Sequence, residues 1–361
     1  MIRVLIVDDS GFIRKMLARM LDAEPDIRVV GQGTNGNDAV KLARSLRPDV
    51  MTLDVEMPGA DGLSALKALS NTPPGAHKPA VLMCSTLTSS GSRTAVEALR
   101  LGAADVIAKD TAGDNARAFA DELLAKVRAI GGRRTAPPPA GRPGATGVRP
   151  PPARLPRTPP DLRMLVVGSS TGGPPVVERI VRALPASPSF AITIAQHMPA
   201  MFTRSLAERL NELSAVPVGM AEPGAPVEPG RVYICEGGRD TMIEGPASAP
   251  RFAEAASGAA VFCHPSVDAL VGSAAKVFGA RAAAVIITGM GGDGSRGAAE
   301  LRRAGGTVLA QSEQSCVVYG MPRAVIEAGS AHAATDPEGL AAAVASMAAR
   351  TPTAQPVRRS A

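Results

Sequence analysis

Short runs of consecutive apolar residues alternate with longer stretches in which apolar residues recur every three or four positions. The runs VLIV (4–7), IRVVG (27–31), DVMTL (49–53), AVLMC (80–84) and ADVIA (104–108) are too short for helices and lack a polar face, which predicts strands buried on both sides. Between them, FIRKMLARML predicts a helix on which Phe12, Met16 and Met20 share a face with Ile13, Leu17 and Leu21. A last helix over about 114–130 repeats the period through Phe119, Leu123, Leu124 and Val127 and is expected to stop at Gly131-Gly132. Strand followed by helix, five times over, predicts an α/β unit with a doubly wound parallel sheet.

The alternation breaks over 131–160, where ten prolines, five glycines and six arginines leave almost nothing to bury. This composition predicts a flexible linker that spans roughly 90 Å when extended. The pattern then resumes with MLVVG (164–168), a helix over about 174–184, AITIAQ (191–196) and a helix over about 201–213. An irregular β-rich middle including RVYICEGG leads to VFCHPSVDALVGSAAKVFG, the strand AAAVIITG (282–289), a helix over 295–304, TVLAQ and two final helices. The expected organisation is therefore a first domain over 1–130, a linker over 131–160, a second parallel-sheet α/β domain over 161–350 and a frayed tail over 351–361.

Composition narrows the function classes. Aromatic residues make up only 2% of the chain, too few to build stacking platforms for single-stranded nucleic acid. The net charge of +6 equals the charge of the six linker arginines, so the folded parts sum to about zero and carry no nucleic-acid footprint. Cys84, Cys235, Cys263 and Cys316 lie far apart without the paired spacing of a zinc or redox motif. No run reaches the length of a membrane span, and the two aspartates that end the first apolar run do not suit a signal peptide. A cytoplasmic protein is expected.

In an open parallel sheet, function gathers at the carboxyl ends of the strands. Asp8 and Asp9 follow the first strand, Asp54 the third, the hydroxyl pair Ser85 and Thr86 the fourth, and Lys109 the fifth. Three carboxylates at close range need a compensating cation, and an all-oxygen set suits Mg²⁺. Lys109 can hold a phosphoryl oxygen as a point charge. Singly, each aspartate could be a helix cap; that reading is much weaker for the whole set.

VLIVDDS, DVMTLDVEMPGADGL, VLMCST and GAADVIAK together resemble a response-regulator receiver domain. The resemblance implies a five-stranded flavodoxin-like fold in which Asp54 accepts phosphate from a CheA-like histidine kinase. It further implies that Asp8, Asp9, Asp54 and the Glu56 backbone carbonyl hold Mg²⁺, that Ser85 is the switch hydroxyl and that Lys109 contacts the phosphate. Val106 stands where many receivers carry an aromatic residue, and Asp110 where many carry proline.

In the second domain, Gly168-Ser169-Ser170-Thr171-Gly172 fits G-x-S-x-G, a sharp strand-to-helix turn that projects Ser170, with Pro174 suited to begin the helix. The same glycines would equally serve an anion-binding loop at a helix start. His197 follows AITIAQ and is the best placed of four histidines; His264 competes, but is expected to cap the next helix. Asp293, in TGMGGDG after AAAVIITG, could orient a base or simply cap a turn. Three such residues after three parallel strands favour a Ser-His-Asp hydrolase. Their chain order differs from that of α/β-hydrolases.

GSSTGGP, IAQHMP, TGMGGDG and CVVYGMP, taken with the receiver motifs, resemble the chemotaxis protein-glutamate methylesterase (CheB) family. The resemblance implies a phosphorylation-activated hydrolase that demethylates glutamate methyl esters, and deamidates glutamines, on methyl-accepting chemoreceptors. It makes Ser170 the nucleophile, His197 the general base and acid and Asp293 the orienting acid, with Thr171 and Met290 as oxyanion candidates and no cofactor in this domain. The alternative is an output domain that binds a phosphorylated ligand through GSSTGG without chemistry. A DNA-binding output is disfavoured, since no helix-turn-helix module follows the first domain.

Overall fold

The structure is a computed structural model that describes residues 1–73, 76–86, 88–109, 115–135, 161–255 and 264–349. Residues 136–160 of the expected linker, the tail, Asp110 and Cys263 lie outside the described residues. The chain divides into two compact units, Met1–Pro151 and Pro152–Ala361.

The first unit holds strands β1 (Ile2–Val7), β2 (Ile27–Gly33), β3 (Val50–Asp54), β4 (Ala80–Ser85) and β5 (Asp105–Ala108). Alternating with them are helices α1 (Gly11–Asp22), α2 (Gly36–Leu46), α3 (Gly62–Ser70), α4 (Ser89–Arg100) and α5 (Asn115–Thr135). The strands pair in parallel in the order β2-β1-β3-β4-β5. The order reverses between β1 and β3, so the ends of these two strands open the crevice where ligands bind in such sheets. Side-chain oxygens of Ser10, Asn35, Asp61 and Thr88 cap α1 to α4 by accepting otherwise unpaired N–H groups.

Two expectations are corrected here. Helix α5 does not stop at Gly131-Gly132 but runs through both to Thr135. Gly131 is there for packing: a Cβ on it would lie 2.5 Å from Ile2 Cγ2 and 3.0 Å from Val50 Cγ2. The apolar face of α1 is also narrower than its pattern suggests. Leu17 and Leu21 are buried, whereas Phe12 in the first turn is 72% exposed.

The second unit contains β6 (Met164–Ser169), β7 (Ala191–Gln196), β8 (Val218–Met220), β9 (Val232–Ile234), β10 (Thr241–Glu244), β11 (Arg251–Glu254), β12 (Ala282–Ile286), β13 (Thr307–Gln311) and β14 (Ala333–Thr335). Its helices are α6 (Pro174–Arg182), α7 (Ala200–Leu213), α8 (Val267–Phe278), α9 (Ser295–Arg303), α10 (Met321–Glu327) and α11 (Pro337–Ala348). Seven strands form one parallel sheet in the order β14-β13-β12-β6-β7-β9-β8, and β10 and β11 form an antiparallel hairpin. β6 and β7 are buried at every position, which is what their unbroken apolar runs require.

The chain leaves β6 toward β7 on one side, and β12 adds on the other, so β6 and β12 flank the switch point of this sheet. β12 is shorter than its apolar run. After Ile286 the backbone turns from strand pairing to loop bonds, with Ile287 N–H donating to the Gly168 carbonyl and Gly289 N–H to the Val318 carbonyl. A Cβ on Gly168 would collide with Val267 Cγ1, and this close approach brings the start of α8 to the carboxyl edge.

Candidate functional site

In the first unit, one carboxylate oxygen each from Asp8, Asp9 and Asp54 lies within 4.8 Å of the others. Asp8 and Asp54 are buried and Asp9 is exposed, giving the cluster one open side. Lys109 Nζ lies 2.7 Å from Asp8 Oδ2 and 2.7 Å from Asp54 Oδ1, an ammonium between two buried anions. Burial pushes the Asp54 carboxyl up from its ordinary value, Lys109 pulls it back, Asp8 adds to the rise, and the net direction is upward. Burial works against the Lys109 ammonium, yet its bonds to Asp54 and Asp8 outweigh that and raise its pKa. The turn is fixed from outside, because Arg14 Nη1 donates to the Asp8 and Asp9 carbonyls at 2.7 and 3.0 Å and Ser10 N–H to Asp8 Oδ1.

The other predicted residues of this pocket take varied places. Ser85 is fully buried at the end of β4, its hydroxyl donating to the Thr86 carbonyl at 3.2 Å, while its carbonyl accepts from Lys109 N–H. Glu56 is exposed, and its N–H donates to Asp54 Oδ1 at 3.4 Å. An all-oxygen donor set with two buried anions fits a hard cation such as Mg²⁺.

In the second unit, Ser170 follows β6 and His197 follows β7 at the carboxyl edge of the sheet, and the loop after β12 brings Asp293 to His197. Ser170 is buried and its N–H donates to the Thr288 carbonyl at 3.1 Å. His197 Nε2 bonds Asp293 Oδ2 at 2.9 Å. The glycines of TGMGGDG allow the approach: a Cβ on Gly289 would lie 2.7 Å from Ser170 Cβ and would collide with Met321 Sδ. Gly172 has φ +78° and faces Val317 so closely that a Cβ would clash with it.

Asp293 is bonded both to His197 and to the start of a helix. Besides His197, its Oδ2 accepts from Val267 N–H at 2.7 Å, and its Oδ1 accepts from Asp268 N–H at 2.8 Å, Gly294 N–H at 2.9 Å and Ser266 Oγ at 3.4 Å. Val267 and Asp268 open α8, so the carboxylate sits on a helix N-terminus where the dipole favours negative charge. Burial pushes its pKa up, but His197 and the Val267 and Asp268 N–H groups win, and the carboxyl is held below its ordinary value.

The other histidines are engaged elsewhere. His264 does not cap α8; Ser266 does, its Oγ accepting from Ala269 N–H. Two residues before that cap, His264 Nδ1 bonds Asp240 Oδ1 at 2.8 Å. His77 Nε2 donates to the Pro48 carbonyl, and His332 Nδ1 accepts from Val308 N–H. Thr171 is buried and its carbonyl accepts from Thr288 Oγ1 at 2.9 Å, and Met290 is half-buried on the adjoining loop.

Sequence reasoning missed the buried polar frame behind these residues. Gln196 Oε1 accepts from Ser169 Oγ, and its Nε2 faces the Ser170 and His197 carbonyls. On the other flank Thr288 Oγ1 accepts from Val318 N–H, and Gln311 Oε1 accepts from Thr288 N–H. The available signal was a polar residue closing an otherwise apolar strand, as in AITIAQ, IITG and TVLAQ.

Residues 165–344 match the family described as CheB methylesterase, and residues 4–120 match the response regulator receiver domain. A protein-glutamate methylesterase/protein-glutamine glutaminase of Lawsonia intracellularis is 37% identical, the alignment covering 96% of this chain and 99% of that protein. A similarly named protein of Myxococcus xanthus is 42% identical over 94% of this chain and 96% of its own length. Among solved structures, the CheB methylesterase catalytic domain of Thermotoga maritima is 37% identical with a TM-score of 0.50, covering 52% of this chain and 98% of that one.

Proposed function

The chain belongs to the CheB methylesterase family, and on that premise we propose how its two sites divide the work of a receiver-controlled protein-glutamate methylesterase and glutaminase. The substrates are glutamate methyl esters, and glutamine side chains, of methyl-accepting chemoreceptors. The observation that carries the reading is the 2.9 Å bond from His197 Nε2 to Asp293, at the sheet edge where β6 delivers Ser170.

Ser170 Oγ attacks the ester carbonyl carbon while His197 takes the hydroxyl proton. With Nε2 committed to Asp293, the proton goes to Nδ1, so the ring is turned end for end relative to triads in which the acid holds Nδ1. The imidazolium forms against a carboxylate already held ionised by helix α8, which costs no rearrangement at the moment of reaction. His197 then returns the proton to the departing methoxide, releasing methanol, or to the departing amide nitrogen, releasing ammonia, when the substrate is a glutamine side chain. Water, activated by the same ring, cleaves the acyl-enzyme and leaves a glutamate carboxylate. The N–H groups of Thr171 and Met290 are the oxyanion donors in this reading.

In the receiver, Asp54 takes the phosphoryl group from a histidine kinase. Asp8, Asp9, Asp54 and the Glu56 carbonyl would hold Mg²⁺, which when bound supplies charge neutralisation for the transfer. Lys109, now shared by Asp8 and Asp54, is placed to turn to a phosphoryl oxygen. Cationic charge beside Asp54 works against the rise that burial gives its carboxyl, as Lys109 already does. Ser85 reorients from the Thr86 carbonyl toward the new oxygens, and this movement is the local switch.

A fluorophosphonate probe followed by peptide mapping tests the catalytic reading, together with methanol release from a methylated receptor fragment. Labelling at Ser170 and no methanol from Ser170→Ala are expected. A fully active Ser170→Ala chain would refute it.

A further inference from the structure

Gln196 closes β7 and its side chain is wholly buried. The Nε2 group donates to the Ser170 carbonyl at 3.0 Å and to the His197 carbonyl at 3.4 Å, while Oε1 accepts from the Ser169 hydroxyl at 2.6 Å. Carbonyls only accept, so the amide must turn its nitrogen to them. Its oxygen then faces Ser169, which must donate. The direction of the amide is thereby fixed by chemistry on both sides. Where β6 and β7 end in register, Ser169 faces Gln196, and His197 N–H donates to the Ser169 carbonyl at 2.9 Å. Gly173 leaves the space: a Cβ there would collide with Ser169 Oγ and come within 3.0 Å of Gln196 Oε1. The GSSTGG loop is thus shaped around a buried hydroxyl–amide pair as well as around its turn.

We propose that Gln196 is a positioning residue for ester hydrolysis, setting the separation of Ser170 and His197 by bonding the main chain of both, with the Ser169 hydroxyl as its orienting partner. The proposal rests on the assignment of Ser170 as nucleophile and His197 as base. These two residues come from different strands, and the Gln196 amide bonds the backbone carbonyl of each. A nucleophile and base misplaced by about 1 Å can lose on the order of 100-fold in rate. Substrate contacts are not involved, so the defect belongs in kcat.

The test uses the full chain with Gln196→Met, which fills similar volume without donor or acceptor, and Ser169→Ala, which leaves the amide but removes its orienting donor. Three quantities are read: kcat and KM on a methylated receptor fragment, the rate of Ser170 labelling by a fluorophosphonate, and the melting profile. For Gln196→Met the expected result is a folded protein with kcat down about 10- to 100-fold, labelling slowed in proportion and KM within about two-fold. Ser169→Ala should move in the same direction by a smaller factor. A folded Gln196→Met chain with kcat and labelling within about two-fold of the wild type overturns the proposal. Should Gln196→Met not fold, unchanged kcat and labelling in Ser169→Ala overturn it instead. A wild-type chain left unlabelled at Ser170 overturns the triad assignment itself, which separates the two failures.

Discussion

Replacing Asp293 by asparagine separates the two duties of that carboxylate, and the structure says how the amide must compromise. On one side Oδ2 faces Val267 N–H and His197 Nε2; on the other Oδ1 faces Asp268 N–H, Gly294 N–H and Ser266 Oγ. An amide turned to keep His197 as a donor partner would set its NH₂ against the two backbone N–H groups of Asp268 and Gly294. Turned the other way it loses only Val267, but its NH₂ then requires an unprotonated Nε2, leaving the proton on Nδ1, where the base is needed. The second arrangement is favoured, and it disables His197. One buried N–H left unsatisfied costs about 1–3 kcal/mol. For a domain of this size that lowers the melting temperature by roughly 2–12 °C. The wrong tautomer lowers kcat on the order of 10⁴-fold. Initial rates of methanol release and calorimetry of the same preparation read the two effects independently. The stability gap should also close in acid: a carboxyl with a lowered folded pKa stabilises the fold above its unfolded value of 3.8 and loses that contribution as pH falls through the folded one. An Asp293→Asn chain with kcat within about ten-fold of wild type would refute the reasoning.

Four further outcomes are expected. A small phosphodonor with Mg²⁺ should raise the initial demethylation rate of the wild type and leave Asp54→Asn at its basal rate; equal responses in the two chains would exclude control through Asp54. Gly131→Ala should destabilise the receiver by about 1–3 kcal/mol through the clash with Ile2. Gly132→Ala, with nothing within 4 Å, should stabilise the same helix by about 0.5–1 kcal/mol. Denaturant midpoints of the two chains settle whether α5 continues through both glycines. Finally, Lys126 Nζ lies 2.9 Å from the buried Asp105 carboxylate and 2.7 Å from the Val106 carbonyl. Lys126→Met should therefore cost about 3–5 kcal/mol in receiver unfolding, and an unchanged transition would show that the pair contributes nothing.

Much of the site was legible because most of its groups stand at or just after the ends of strands, where a parallel sheet gathers them; Asp293 stands farther on, in the loop after β12. Asp8, Asp54, Lys109, Ser170, His197 and Asp293 are each the first or nearly the first polar residue after an apolar run. What stayed hidden depends on contacts between segments far apart in the chain. Gln196, Thr288 and Gln311 bond backbone groups of loops, and no periodicity announces such a partner. Gly131 carried a stop signal, yet Ile2 and Val50, more than eighty residues away, explain why glycine stands there. Phe12 fits the helical period of α1 but lies in its first turn and is exposed, whereas Leu17 and Leu21 farther along the helix are buried. Asp293 was ambiguous between cap and acid because it is bonded as both.

That double bonding turns the first turn of α8 into a gauge. The amide protons of Val267 and Asp268 point at the carboxylate whose charge His197 must share during each turnover. Their chemical shifts and exchange rates with solvent deuterium therefore track the protonation of the ring bonded to the same carboxylate. Protonating His197 draws the carboxylate toward the imidazolium and lengthens its bonds to the helix, so the two amides shift upfield together and exchange faster. A label on backbone nitrogen at these two positions would then report the charge of the triad without altering any atom in it.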